Sequence, residues 1–316
     1  MNRVFERRPL LERNTLRRLQ EKSDNPSVRR FALHYASFLF LATAVVFSAP
    51  ESNVAAFLLA GLLASVWASL FAPFHETVHG TAFRSPWLNT TCGWLAGIPF
   101  GMAPAVYKEF HFDHHRFTQE PGRDPEVRAF RGKPSQWPST WFTWTLMIIG
   151  WGIITLKVRS LVKLPFLPED RWEKLAPWAR KPLRPRLARQ SAIVGVMWVV
   201  LIGMATWHVG YRYILFAAIL SHTFQAVWVT TEHTGLPALG SILARTRTVV
   251  TRPFFRWWLW NMNFHAEHHA WPAVPWHALP ELHLWTKDYL EARNSGYIKV
   301  HSEVVQTLKS GESRNS

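Results

Sequence analysis

Eight of the 15 histidines in this 316-residue chain fall into three short clusters. They are His75 and His79 in HETVHG; His111, His114 and His115 in HFDHH; and His265, His268 and His269 in HAEHH. On an α-helix, positions i, i+3 and i+4 share a face, so each cluster is predicted to aim two or three imidazoles at one point. Imidazole is a ligand of zinc, copper, iron and nickel. The spacing therefore predicts a metal centre where three helices converge.

The number of histidines predicts two metal ions. Together with His233, in the sequence TEHTG, the clusters offer nine imidazoles. Zinc takes about four ligands and octahedral iron about six, so one ion cannot use nine. A ligand set without thiolates and with open positions suits iron that binds O₂. Zinc binds imidazole as readily, so the residue types by themselves leave both metals open.

Two other interpretations of the clusters involve zinc or metal storage. HETVH matches the HExxH pattern of zinc hydrolases, in which Glu76 would be the general base beside one zinc ion. That interpretation gives no role to HFDHH or HAEHH. A histidine-rich surface for metal storage or transport is the other alternative, but transporters usually place their ligands within membrane spans, whereas these histidines lie near span ends.

Four apolar stretches in the chain have about the 20 residues that a bilayer crossing needs. They predict an all-α integral membrane protein with four transmembrane helices in two hairpins: 31–49, 54–73, 191–207 and 211–229. Two further apolar stretches, 87–107 and 141–158, are interrupted by Gly, Pro, Asn or Thr. We interpret them as interfacial or re-entrant helices.

Basic residues predict how the spans are oriented. The formal charge is +15, and Lys and Arg are concentrated in residues 1–30 and 157–189. The positive-inside rule places both segments in the cytoplasm, which brings all nine histidines to the cytoplasmic face. Six full crossings would instead put HFDHH on the opposite side from the other clusters. Because no nucleic-acid recognition motif accompanies the charge, we expect no nucleic-acid partner.

Longer sequence strings around the clusters resemble the membrane fatty acid desaturase superfamily. HETVHG, HFDHHRFTQEPGRDPE, EHTG and NFHAEHHAWPAVPWHALP are similar, in order and spacing, to its histidine boxes. The strings HHRFTQEPGRDPE and HAEHHAWPAVPWHALP resemble most the bacterial branches that include carotenoid ketolases and rhizopine-catabolism oxygenase-like proteins. The resemblance implies two iron ions, O₂ as co-substrate, His233 as the ninth ligand, and a cytosolic helical cap that holds the metals. It also implies an external electron donor, such as a ferredoxin with its reductase.

Acidic residues near the clusters are candidates to orient the imidazoles, because a ligating histidine usually donates its other N–H to a carboxylate or carbonyl. The candidates are Glu76, Asp113, Asp124, Glu232 and Glu267. His222 and Gln225 lie 11 and 8 residues before His233, close to whole helical turns, so they fall on its side of the fourth span. Polar groups inside a span are functional candidates, and we place these two in a substrate channel.

These observations predict a basic cytosolic segment at 1–30, a catalytic membrane domain at 31–300 and a polar tail at 301–316. The expected activity is O₂-dependent oxidation of an unactivated C–H in an apolar chain, foremost fatty acyl desaturation. Hydroxylation or ketolation of an acyl, alkane or carotenoid substrate is the first alternative, and a membrane zinc hydrolase is the alternative from another class. No electron-carrier domain is recognisable in the chain, so the donor is expected to be another protein. We expect the bacterial inner membrane as its location.

Overall fold

The computed structural model describes residues 10–129 and 136–310, and these are mostly helical. The α-helices are α1 (Arg13–Leu19), α2 (Asn25–Ser48), α3 (Asn53–Ser69), α4 (Phe71–His79), α5 (Pro86–Phe100), α6 (Pro104–Phe117), α7 (Pro125–Ala129), α8 (Trp141–Ile148), α9 (Trp151–Val162), α10 (Trp172–Leu175), α11 (Arg184–Trp207), α12 (Val209–Val229), α13 (Ile242–Arg245), α14 (Pro253–Trp258), α15 (His265–Ala270), α16 (Leu279–Thr286) and α17 (Tyr297–Ser310). Short 3₁₀ helices occupy Leu164–Phe166, Glu169–Arg171, Lys181–Leu183, Thr230–Glu232 and Lys287–Tyr289. Strand β1 (Thr248–Val250) pairs in parallel with β2 (Arg293–Ser295).

Within the described residues, four helical stretches are long and apolar enough to cross a membrane: Asn25–Ser48, Asn53–His79, Lys181–Trp207 and Val209–Glu232. They contain the predicted spans except for residue 49, which lies one position beyond the first helix, so the prediction of an all-α membrane fold with four spanning helices is confirmed. The helices begin several residues before the apolar stretches do at 31 and 191. The preceding segments include arginines, which are good helix formers and extend each helix beyond its apolar part.

The two interrupted apolar stretches are broken helices in the structure. In the first, α5 ends at Phe100, directly before Gly101, whose φ of 77° is left-handed, and α6 begins at Pro104. In the second, α8 ends at Ile148 and α9 begins at Trp151. Gly150 at that break has φ 74°, a conformation that favours glycine. The breaks follow from these glycines, and the interfacial or re-entrant placement remains a prediction.

The chain divides into two compact units. We call Asp24–Glu109 with Ile149–Ala226 the span unit, and the described parts of Met1–Ser23, Phe110–Ile148 and Val227–Ser316 the histidine unit. In the span unit, α2 packs on α3 and α4 packs on α5. Gly210, near the start of α12, permits a close approach to α2, since a Cβ there would lie 2.6 Å from the Cα of Val46.

The two ends of the described chain pack into the histidine unit. Leu19 of α1 is buried in an apolar cluster with Phe264, Val274, Leu279 and Leu282. At the other end, residues 301–310 of the predicted polar tail form the last part of α17. Val300 and Val304, one helical turn apart, give that helix a buried face. Residues 1–9 and 311–316 of the predicted terminal segments lie outside the described residues.

Candidate metal centre

Four histidines of the histidine unit form one tight group: His114 from α6, His233 after the 3₁₀ helix Thr230–Glu232, and His265 and His269 from α15. One ring nitrogen from each lies within 4.8 Å of the corresponding nitrogen of the others. The Nε2 atom of His265 is 3.2 Å from His233 Nε2 and 3.1 Å from His269 Nε2. We call this the four-histidine group.

The nitrogen spacing in this group fits a shared metal ion. A metal–nitrogen distance of about 2.1 Å separates two ligand nitrogens by about 3.0 Å at a right angle and about 3.4 Å at the tetrahedral angle. The Nε2 atom of His265 has neighbours at 3.1 and 3.2 Å, within that range. A single ring N–H donates in one direction only, so it cannot account for both contacts. One cation bound by all these lone pairs accounts for them together.

A second group in the same unit consists of His111 and His115 from α6 and His268 from α15. The Nε2 atoms of His111 and His115 are 2.9 Å apart, and the His115 and His268 ring centroids are 5.0 Å apart. This triad adjoins the four-histidine group, because the rings of His115 and His269 stack at 4.0 Å. Two metal positions side by side are therefore available within this unit.

Each HxxHH cluster serves both groups, which differs from the expectation that one cluster aims at one point. In α6 the i, i+4 pair, His111 and His115, belongs to the triad, while His114 belongs to the four-histidine group. The arrangement is reversed in α15, where His268 alone joins the triad. At about 100° per residue, i+3 and i+4 lie about 100° apart around a helix axis. Two helices with this spacing can therefore supply both metal positions.

The first cluster lies in the span unit, where α4 holds His75 and His79 with their ring centroids 4.9 Å apart. The structure thus forms this predicted pair on one helical face. His75 is buried beside Phe71 and Tyr107, whose ring centroids lie 6.0 and 6.3 Å from its own. Gly80 ends α4 in a left-handed conformation with φ 68°, directly after His79.

Three polar groups orient the rings of the four-histidine group. His114 Nδ1 lies 3.0 and 3.1 Å from the two carboxylate oxygens of Asp124. His233 Nδ1 lies 3.0 Å from the Arg245 carbonyl oxygen, and Thr118 Oγ1 lies 3.2 Å from His269 Nδ1. A partner on Nδ1 leaves Nε2 to face a metal, which is the usual arrangement around ligating histidines.

These surroundings shift the pKa values of two of the rings in opposite directions. Burial, reinforced by the nearby His114, lowers the pKa of His233 to about 3, so this imidazole is neutral, as a ligand must be. Burial also disfavours the charged form of His114, but the carboxylates of Asp124 and Glu126 outweigh it and raise the pKa of His114 to about 9. A metal ion that binds His114 would have to displace this proton.

The fatty acid desaturase family model matches residues 52–301, which include every histidine described above. This chain belongs to the fatty acid desaturase family. A zeaxanthin 4-ketolase of Chlamydomonas reinhardtii is 26% identical over 218 residues, which cover 68% of this chain and 41% of that protein. A putative sphingolipid delta(4)-desaturase/C4-monooxygenase of Caenorhabditis elegans is 25% identical over 244 residues, which cover 74% of this chain and 58% of that protein. The chain thus spans about half the length of these relatives.

The predicted acidic residues of this desaturase family member have different surroundings. Glu232 Oε2 lies 3.3 Å from His265 Nε2, at the edge of the four-histidine group. Glu76 Oε1 lies 3.4 Å from His75 Nδ1, and its other oxygen accepts a hydrogen bond from Thr81. Asp113 pairs with Arg116 at 3.3 Å. The buried carboxylate of Glu267 contacts Thr248 and His283.

His222 and Gln225 are both buried in α12, within the span unit. His222 Nδ1 donates a hydrogen bond to the Ala218 carbonyl at 2.7 Å, which leaves Nε2 to accept one from Lys157 Nζ at 3.1 Å. Lys157 Nζ also lies 3.1 Å from the centroid of the Phe100 ring. Sequence reasoning did not identify Lys157, because it counted among the basic residues of a cytoplasmic segment.

Sequence reasoning also missed Thr118, Arg245, Arg247, Thr248 and His283, which contact the metal-centre residues or their immediate neighbours. Nothing in their local spacing distinguishes them. Thr118 meets His269 across 151 residues of chain, and the Arg245 guanidinium reaches the Thr118 carbonyl across 127. Of the three Nδ1 contacts in the four-histidine group, the one from Asp124 was anticipated, because Asp124 lies close to the HFDHH cluster in sequence.

Proposed function

We propose that this protein is an O₂-dependent di-iron oxidoreductase that removes hydrogen from an unactivated C–H of an apolar chain, foremost as a fatty acyl desaturase. The observation that carries the proposal is the pair of adjacent histidine groups within a chain of the fatty acid desaturase family. A donor set of imidazoles without thiolates suits iron with open coordination positions. Family membership favours iron over zinc, whereas the ligand types alone do not distinguish the two metals.

The four-histidine group would hold one iron ion. The triad of His111, His115 and His268 would hold the second. On the sequence pattern, we propose His75 and His79 as further ligands. When bound, the two irons would supply the activation of O₂ and the removal of hydrogen from the substrate. Asp124, Thr118 and the Arg245 carbonyl hold the imidazoles so that Nε2 faces the metal.

The acidic residues would act around the metals rather than on the substrate. Glu232 is the best placed, because its carboxylate already lies 3.3 Å from a proposed ligand. Glu76 would orient His75, and Glu267 would fix α15 through Thr248 and His283. For Asp113 the role of orienting a histidine stays a prediction, since its described partner is Arg116.

The substrate would be a membrane lipid or another apolar molecule, as we infer from the family and the spanning helices. His222 and Gln225 would line its path in the span unit, and Lys157 would add a hydrogen-bond donor beside His222. We expect the metal centre to face the cytoplasm of a bacterial inner membrane. An acidic ferredoxin with its reductase is the proposed electron donor, attracted by the positive charge of the chain.

Hydroxylation or ketolation is the second candidate reaction. The relatives include a protein named as a ketolase and one named as a desaturase/C4-monooxygenase. All three outcomes begin with removal of the same hydrogen and then diverge through the position of the substrate.

The test is metal analysis of protein produced with iron available, followed by O₂ consumption and product analysis with acyl, alkane and carotenoid substrates. We expect about two irons per chain, and loss of turnover with intact membrane insertion in variants such as His114→Ala and His268→Ala. His208→Asn, a change outside both groups, is the matched control. One zinc per chain with hydrolytic activity that Glu76→Gln removes would instead establish the zinc hydrolase.

A further inference from the structure

One segment of the histidine unit, residues 245–250, contacts all three chain regions that carry the histidines of that unit. The Arg245 carbonyl accepts from His233, and the Arg245 guanidinium donates to the Thr118 carbonyl at 2.9 Å, one residue beyond α6. Thr248 Oγ1 contacts Glu267 of α15. The segment therefore connects, by hydrogen bonds, the regions that carry both histidine groups.

Within this segment, Arg247 forms hydrogen bonds with the backbone on both sides of His233. Its side chain is buried, and its Nη1 donates to the Thr231 carbonyl while its Nη2 donates to the Thr234 carbonyl at 3.0 Å. Its backbone N–H donates to the Glu232 carbonyl at 2.8 Å. The bonds to Thr231 and Thr234 lie on both sides of Glu232 and His233, so they fix the backbone that presents these two side chains.

Packing does not replace these hydrogen bonds on the α17 side of the turn. A cavity of about 220 Å³ adjoins it there, lined by Thr234, Gly235 and Arg247 and by the α17 residues Val300, Glu303, Val304 and Thr307. Atoms that face a cavity lack the contacts that would otherwise limit their movement. On this side the guanidinium therefore holds the turn by its hydrogen bonds to Thr231 and Thr234. Gln119 Nε2 adds a hydrogen bond to the His233 carbonyl at 2.7 Å.

We propose that Arg247 is a positioning residue for the metal centre, which sets the placement of His233 and Glu232 by holding the carbonyls of Thr231 and Thr234. The inference rests on the proposed function, because it takes the four-histidine group as a metal site. Arg247 Nε also donates to Asn294 Oδ1 at 3.0 Å, and the Asn294 amide donates to both oxygens of Glu303 at 3.0 and 3.1 Å. Helix α17 is thereby connected to the turn that carries His233.

Lysine cannot substitute for arginine in this role. A guanidinium offers five N–H donors in a rigid plane and can bond two carbonyls and an amide at once. An ammonium has three donors around one atom and does not span the two carbonyls in the same way.

The experiment is Co²⁺ titration of the purified full chain, with affinity measured by competition with a chelator and geometry by the visible absorption of bound cobalt. For Arg247→Lys and Arg247→Gln we expect affinity at one of two sites to fall by about 10–100-fold, with a changed spectrum, as for other groups that orient metal ligands. Arg293→Gln, an exposed arginine of β2, is the matched control and should leave both readouts unchanged. Unchanged affinity and spectrum in folded Arg247→Gln protein would overturn the proposal.

Chemical rescue of Arg247→Ala is a second test, and it does not depend on the Arg247→Lys and Arg247→Gln variants. The truncated side chain would enlarge the adjoining cavity, so millimolar guanidinium should enter and restore the cobalt spectrum, whereas millimolar methylammonium should not. Equal spectra with and without guanidinium would count against the positioning role. This outcome differs from failure of the proposed function. If the four-histidine group is not a metal site, His114→Ala will not weaken cobalt binding to the otherwise unmodified chain.

Discussion

At the scale of single residues, one polar partner orients the imidazole in each of His114, His233 and His269. Asp124 illustrates this, because its carboxylate contacts His114 Nδ1 and also accepts from the backbone N–H groups of Gln119 at 2.7 Å and Glu126 at 2.9 Å. These two bonds fix the carboxylate, which in turn fixes the ring. A ligand held in this way loses less freedom when the metal binds.

Asp124→Asn should therefore weaken metal binding at the four-histidine group by about 10–100-fold. The amide keeps the size of the side chain but loses the charge that holds the His114 ring. The pKa of His114 should also fall from about 9, which by itself favours metal binding because the proton is displaced more easily, so a net weakening measures the lost orientation. Chelator competition with Co²⁺ measures the affinity. Glu120→Gln is the control, because Glu120 lies in the same loop but pairs with the exposed Arg123. Equal affinities for the two variants would contradict this role of Asp124.

At the scale of elements, the break between α8 and α9 is built around a close contact with α12. Gly150 has a left-handed φ of 74°, and a Cβ there would lie 2.7 Å from the His222 carbonyl oxygen. The same region is joined by the hydrogen bond from Lys157 to His222. The absence of a side chain at position 150 thus lets the start of α9 approach α12 at His222.

Gly150→Ala should lower the thermal unfolding midpoint of the detergent-solubilised protein. The left-handed conformation alone costs a non-glycine residue about 1–2 kcal/mol, and the contact with the His222 carbonyl adds to this cost. Gly203→Ala within α11 is the matched control, because nothing lies within 4 Å of its Cβ position. That change should be neutral or stabilising by up to about 1 kcal/mol. A midpoint that Gly150→Ala leaves unaltered would refute the close contact.

At the scale of the whole molecule, the distribution of charge predicts which segments share a side of the membrane. Arg123→Cys and Lys174→Cys should both react with a membrane-impermeant thiol reagent only after intact cells are opened. The native Cys92 is buried and gives a low background. Labelling of the two positions from opposite sides would show that α8 and α9 together cross the membrane completely.

The charge of +15 also predicts how the protein meets its electron donor. With an acidic ferredoxin and its reductase, kcat/KM for the ferredoxin should fall as ionic strength rises, because salt screens the attraction that speeds encounter. A neutral chemical reductant should show no such dependence and serves as the control. A rate with ferredoxin that is independent of salt would argue against steering by charge.

The sequence by itself determined the spans and the ligand types. Twenty-residue apolar stretches and i, i+3, i+4 histidine spacing are local properties, so four candidate spanning helices and the helical histidine clusters could be predicted and are present. Asp124 was within reach for the same reason, since it lies ten residues from His114.

Only the tertiary structure decided how the histidines are divided and what holds them. In each HxxHH cluster, the i+3 histidine belongs to one group and the i and i+4 histidines belong to the other. This division depends on how α6 and α15 are rotated about their axes, which periodicity alone does not specify. The Arg245 contact with Thr118 and the Lys157 contact with His222 join residues 127 and 65 positions apart. Such contacts depend on how helices pack in three dimensions, and they cannot be predicted from the spacing of residues along one helix.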